Sequence, residues 1–138
     1  MLGFLAHVIA RHKDQDFQPV LQLQALFKQK KIACQIWKAL AVTENIPDFT
    51  VTADHYVLDG KNAGSGKAFG WQALAQSTQD LSTCFLAGGL NSDNIIPAIT
   101  HMVEQDLFGL DINSGVESSP GVKCSAKINE VFAKIRNY

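Results

Sequence analysis

Apolar residues in this chain fall into short runs separated by longer amphipathic stretches. Residues 5–10, 32–42, 53–59, 83–87 and 107–112 each read as a strand, apolar enough along most of its length to be buried on both faces. Phe17, Val20, Leu21, Leu23, Leu26 and Phe27 give a broad apolar face to a helix. Asp14 and Asp16 offer capping carboxylates at its start, Pro19 suits its first turn, and Lys30 and Lys31 suit the negative end of its dipole. A short helix is predicted over 71–76. Ser92 is placed to cap another, whose apolar positions Ile95, Ile96, Ile99, Met102 and Val103 recur at helical spacing. Pro97 just inside that helix is expected to strain its opening turns. The last helix starts at Cys124 or Ser125 and turns Ile128, Val131, Phe132 and Ile135 inward. Residues 43–52 hold Pro47 and read as loop with at most a short helical turn. Residues 60–70, with four glycines in eleven positions, read as a mobile loop. Strand and helix alternate from end to end. The class is therefore α/β, with four or five strands in parallel βα units joined by right-handed crossovers.

Length and charge narrow this picture. A chain of 138 residues can form one domain with its own core, and no linker or low-complexity segment divides 1–138. The formal net charge is −1 with both signs interspersed, so neither nucleic acid nor an anionic membrane is an expected partner. The apolar runs are strand-length, so no membrane-spanning helix is expected. The apolar start at residues 1–10 has no basic segment before it and no clear cleavage site after it, so no signal peptide is expected. Cys34, Cys84 and Cys124 are odd in number and lack metal-ligand spacing. They read as reduced thiols serving in packing or on the surface, which places the chain in the cytoplasm. No metal site is predicted.

The candidate chemistry lies at the ends of the apolar runs. Phe85-Leu86-Ala87-Gly88-Gly89-Leu90-Asn91-Ser92 and Leu110-Asp111-Ile112-Asn113-Ser114-Gly115-Val116-Glu117 each run from a short strand into a small-residue turn and then a helix-start signal. Glycine lets backbone N–H groups approach a ligand closely, and a helix start adds unpaired donors with partial positive charge. Two such turns side by side would cradle a phosphate on Gly88, Gly89, Ser114 and Gly115; turn formation alone would also account for these residues. A phosphate site shared by the loops after the last two strands is the usual arrangement in a (β/α)8 barrel. Asp59 ends a strand, where partial desolvation would raise its pKa and suit it to donate a proton; capping the following glycine loop is the competing role. Asp111 also ends a strand, where bonding to nearby backbone would account for it. Glu117 is expected to point away, since a carboxylate repels a phosphate. Lys38, inside an apolar run, must reach a ligand or snorkel at a strand end. His55 reads as structural, and His12 carries no recognisable motif.

These stretches resemble a known family. The segments at 86–94 (LAGGLNSDN) and 109–123 (GLDINSGVESSPGVK) resemble the C-terminal signature of phosphoribosylanthranilate isomerase. Two earlier pieces match in order: Ile36-Trp37-Lys38-Ala39-Leu40, and Tyr56-Val57-Leu58-Asp59 followed by Gly64-Ser65-Gly66-Lys67-Ala68-Phe69-Gly70-Trp71. The resemblance runs from about Ile36 to Tyr138 and is to the variety that some bacteria fuse behind indole-3-glycerol-phosphate synthase. It implies a TIM (β/α)8 barrel. Such a barrel typically needs roughly 200–250 residues, so the resemblance makes this chain its last four or five βα units, a partial barrel of about half.

The family's reaction is an Amadori rearrangement of N-(5-phosphoribosyl)anthranilate to the carboxyphenylamino-deoxyribulose phosphate in tryptophan biosynthesis, without cofactor or metal. By resemblance, Asp59 is the general acid that protonates the ribose ring oxygen and Asp111 orients the sugar-phosphate substrate. Gly88, Gly89, Ser114 and Gly115 hold its phosphate. The family's base is a cysteine in a Lys-Ile-Cys-Gly segment of the first strand, a segment this sequence does not contain. Activity is thus expected to need a complementary barrel fragment or assembly of chains into a homo-oligomer, because an incomplete barrel leaves strand edges and an apolar interior open. The other reading left open is an inactive relic that binds phosphate or a partner. Two departures remove helix-starting carboxylates: Gly70 and Cys124 stand where the family has aspartate. Each is worth roughly 0.5–2 kcal/mol where the carboxylate caps.

Overall fold

The computed structural model describes residues 7–11, 18–31, 33, 35–42, 53–60 and 71–138. Five apolar runs pair into one parallel sheet, in the order β1 (His7–Arg11), β2 (Gln35–Val42), β3 (His55–Gly60), β4 (Cys84–Ala87) and β5 (Gly109–Leu110). Each strand lies beside its neighbour in sequence. A doubly wound sheet reverses its order at a switch point; an arc of a barrel does not. The register sets Trp37 beside His55, Val57 beside Phe85, Asp59 beside Ala87, and Leu86 beside Leu110. β5 is shorter than the apolar run at 107–112 suggests, but pairing continues past both its ends. Phe108 N–H donates to the Cys84 carbonyl at 3.0 Å and Asp111 N–H to the Leu86 carbonyl at 2.8 Å.

Side chains alternate between the two faces of the sheet. Leu40, Val42, Tyr56, Leu58, Cys84 and Leu86 face the helices and, with Leu74, Leu81, Leu90, Ile95, Ala98, Met102, Val116 and Val131, form the main core. Lys38 shares that face with Ile36 and Leu40 and is fully buried. It does not reach solvent, so it does not snorkel, and it does not line the pocket described below. On the opposite face Trp37 stacks on Phe85 with ring centroids 4.6 Å apart, and His55 lies 4.3 Å from the Phe108 ring. His55 is buried there, its Nδ1 bonded to the Thr83 carbonyl at 3.1 Å, in keeping with a structural role.

The helices are α1 (Gln18–Lys30), α2 (Trp71–Ala75), α3 (Ile95–His101) and α4 (Ser125–Arg136). α1 ends as its lysines suggest, with Lys31 in the left-handed region at φ 53°. Leu21 and Leu26 on it are exposed, so its apolar face is only partly used. Asn94, not Ser92, is the residue before α3. Pro97 sits at the third helical position, where a missing N–H costs nothing because that donor has no intrahelical partner; the expected strain does not arise. The helix stops at His101, which leaves Val103 beyond it and 66% exposed. On α4 the inward stripe is Ile128, Val131 and Ile135; Phe132 lies on its flank and is 51% exposed. Among the described residues, no helix is long and apolar enough to cross a membrane.

After β5 comes an unforeseen unit: a 3₁₀ turn at Ser114–Val116 and a two-stranded antiparallel hairpin, β6 (Glu117–Ser119) and β7 (Val122–Lys123). The expectations for residues 43–52 and 61–70, for Cys34 and His12, and for the start of α1 at 12–17 lie outside the described residues.

Candidate active site

Two turns meet the end of β3 at the C-terminal rim of the sheet. Parallel pairing in register brings β3, β4 and β5 out together, so their C-terminal ends share one edge. Gly88 has φ +102° and Gly89 φ +68°, values that favour glycine. A Cβ on Gly88 would lie 2.7 Å from the Gly60 nitrogen and 3.1 Å from Asp59 Oδ1. The turn after β4 is therefore packed directly on the end of β3. A Cβ on Gly115 would lie 1.9 Å from the Leu90 carbonyl oxygen, so the turn after β5 presses on the turn after β4 just as closely. Glycine is required at both contacts for lack of space, not for turn formation alone.

Asn91 and Asn94 hold the turn after β4 in shape. Both side-chain amides donate to the Gly89 carbonyl, at 3.2 and 3.1 Å, and Asn94 Oδ1 accepts the Asn91 N–H at 2.8 Å. This explains why Asn94, although it precedes α3, makes no side-chain cap. Ser92 contributes its carbonyl to Lys134 Nζ at 2.7 Å.

The end of β3 and the turns after β4 and β5 enclose an open pocket of about 370 Å³ lined by Asp59, Gly88, Gly89, Asp111, Ser114 and Glu117, with Ala39, Val57, Ala87 and Asn113 completing the wall. Five of the six predicted site residues line it. Gly115 stands behind, where it permits the contact between turns. Asp59 is exposed at the end of β3, so the expected desolvation is not provided by the described residues. Asp111 is half-buried and held by its backbone bond to Leu86. Glu117 is among the lining residues, and its carboxylate is bonded within the hairpin. Its charge is met there: Lys123 Nζ donates to Oε1 at 2.6 Å and the Gly121 N–H to Oε2 at 3.0 Å. The Lys123 bond first, and the Gly121 N–H second, hold this carboxyl below the usual carboxylate range. Lys123 Nζ also donates to the Asn113 carbonyl at 2.9 Å and to Asn113 Oδ1.

No cysteine lines this pocket among the described residues. Cys84 is fully buried on the helix side of the sheet, where burial pushes its thiol up to about 11. Cys124 precedes α4 in extended conformation and makes no side-chain cap bond. Nor do three His, Cys, Asp or Glu side chains gather where one metal ion could be held, among the described residues.

A model of the family described as N-(5'-phosphoribosyl)anthranilate (PRA) isomerase matches residues 19–134. The chain belongs to the phosphoribosylanthranilate isomerase family. That match takes in the C-terminal rim and every pocket residue from Ala39 to Glu117. The tryptophan biosynthesis protein TrpCF of Buchnera aphidicola subsp. Diuraphis noxia is 40% identical over 133 residues, covering 96% of this chain and 27% of the relative. The chain thus spans about a quarter of the length of the curated relatives it matches. The phosphoribosylanthranilate isomerase of Thermococcus kodakaraensis superposes with a TM-score of 0.69 at 24% identity, over 96% of this chain and 64% of that one. The dimeric phosphoribosylanthranilate isomerase of Thermotoga maritima, in the form of monomers, does so at 0.55 and 19%, over 96% and 71%. These likenesses establish the TIM-barrel fold, and five parallel strands in sequential order are an arc of it.

The sequence reading missed Asn91, Asn94, Asn113 and Lys123. Asparagines placed after a Gly-Gly turn, where a side-chain amide can bond backbone locally, are the signal that could have found the first two. Lys123 acts across a hairpin whose local sign was the turn dipeptide Pro120-Gly121.

Proposed function

We propose that this chain supplies the acid and the phosphate cradle of a phosphoribosylanthranilate isomerase. The observation that carries this is the convergence of three strand ends: Asp59 and Asp111 line the same pocket as Gly88, Gly89 and Ser114. A substrate phosphate held by the turns after β4 and β5 would bring the ribose across the rim toward Asp59. There the carboxylic acid would give its proton to the ring oxygen as the C1–O bond opens. Asp111 would orient the opened sugar. Removal of the C2 proton then converts the aldose-derived imine to the ketose.

The base for that last step would come from outside the described pocket, in a complementary barrel segment. Among the described residues no further strand pairs with β1 or β5, and those edges, with the apolar rings of Trp37, Phe85 and Phe108, favour association with such a segment or with a second copy. The Thermotoga maritima isomerase is described as dimeric, which agrees with this reading. The chain itself would work as one domain over 1–138.

The test is growth of a tryptophan auxotroph lacking the isomerase, with this chain expressed alone and with a fragment carrying the first three family strands. Rescue, lost on Asp59→Asn, supports the proposal. Rescue that survives Asp59→Asn removes the acid role, and no rescue in either arm favours a non-catalytic phosphate-binding module.

A further inference from the structure

Three acidic residues are among those lining the pocket, Asp59, Asp111 and Glu117, and among its described residues there is no lysine or arginine. A phosphoryl dianion entering such a site meets repulsion unless part of that charge is offset. Among the described residues, a cation is bonded to two of the lining residues. Lys123 Nζ bonds Glu117 Oε1 at 2.6 Å and the Asn113 carbonyl at 2.9 Å, and it also reaches Asn113 Oδ1. Asn113 and Glu117 are both pocket wall, and Ser114 lies between them.

We propose that Lys123 is a positioning residue that readies this pocket for a phosphoryl group, offsetting Glu117 and holding the Asn113–Ser114 turn in place. The inference rests on the phosphate reading above and deepens it. An exposed ion pair is worth little by itself. Here, however, one ammonium satisfies three acceptors on two segments, and one of them is the backbone carbonyl of the turn residue. Glu117's carboxylate side chain is only 16% exposed against 44% for Lys123, so the anion cannot be offset by water as readily as a free surface carboxylate. The neighbouring Lys127 does not substitute for it, since its Nζ bonds the Glu117 backbone carbonyl at 2.6 Å.

The test is binding of inorganic phosphate to the full chain near neutral pH, followed by ³¹P resonance broadening, with thermal unfolding measured alongside. Lys123→Met should weaken phosphate binding about tenfold, while Lys123→Arg should keep it. Adding Glu117→Gln to Lys123→Met should restore affinity to within about twofold, because the uncompensated carboxylate is then gone. A brace serving only the fold would lower the unfolding temperature and would not be rescued by that second change. Unchanged affinity in Lys123→Met, or a loss that Glu117→Gln does not restore, overturns the inference. Should Lys123→Met fail to fold, Glu117→Gln alone decides: equal or tighter phosphate binding supports the role and weaker binding contradicts it. If the unaltered chain binds no phosphate, the cradle reading fails first and this inference with it.

Discussion

Gly115 lies so close to the Leu90 carbonyl that a Cβ there would sit 1.9 Å from the oxygen. Two backbone turns from separate βα units are thereby in direct contact. Gly115→Ala must separate them, and the atom in the way is backbone, which cannot rotate aside. The expected cost is about 1–3 kcal/mol in urea unfolding, the usual range for forcing extra volume into a packed site. Phosphate affinity should fall as well, because Ser114 moves with the turn.

The α/β class and the line of site residues were legible in the sequence because both depend on local pattern. Apolar runs ending in Gly88-Gly89 and Ser114-Gly115 fix strand ends, and parallel pairing then forces those ends to one rim. What was not legible depends on contacts between segments. Phe132 falls on the flank of its helix because the Ile128, Val131 and Ile135 stripe suffices to cover the core. Val103 is exposed because α3 ends before it, which periodicity alone does not reveal. The charge of Glu117 is met by a lysine six residues on, across a hairpin that no apolar alternation announced. Lys38 is buried on the face that strand alternation gives it, beside Ile36 and Leu40.

Cys124 occupies the N-cap of α4 with φ −109° and ψ 113°, the extended geometry a capping residue adopts, yet its side chain makes no cap bond, and no acid lies in the first turn. Cys124→Asp should therefore stabilise the chain by about 0.5–2 kcal/mol, through a cap bond and a charge at the positive end of the helix dipole. A higher unfolding temperature than that of the parent checks this, with Cys124→Ala as the comparison that gains no cap.

Cys84 is sealed in the core, and burial raises its thiol to about 11. The thiolate is the reactive form, so Cys84 should resist alkylation until pH approaches that value or the chain unfolds. Iodoacetamide treatment near pH 8, followed by peptide mass spectrometry, should label Cys124 well before Cys84. Equal labelling rates would show that the helix-side core opens readily.

Glu117 is held below the usual carboxylate range, first by Lys123 and then by the Gly121 N–H. A carboxyl whose folded value is depressed contributes stability above its unfolded value, near pH 4.3, and loses it as pH falls through the lower folded value. The hairpin should therefore hold at neutral pH and loosen below about pH 4. A carboxyl ¹³C titration should place the Glu117 midpoint below the ordinary one, and Lys123→Met should move it upward.

The account turns on whether the turns after β4 and β5 together receive a phosphoryl group. Amide chemical-shift mapping of the isotope-labelled chain during titration with inorganic phosphate tests this most directly. The predicted result is saturable shifts concentrated at Gly88, Gly89, Ser114 and Gly115, with smaller ones at Asp59 and Asp111. Shifts absent from these amides, or gathered on another face of the sheet, would contradict it.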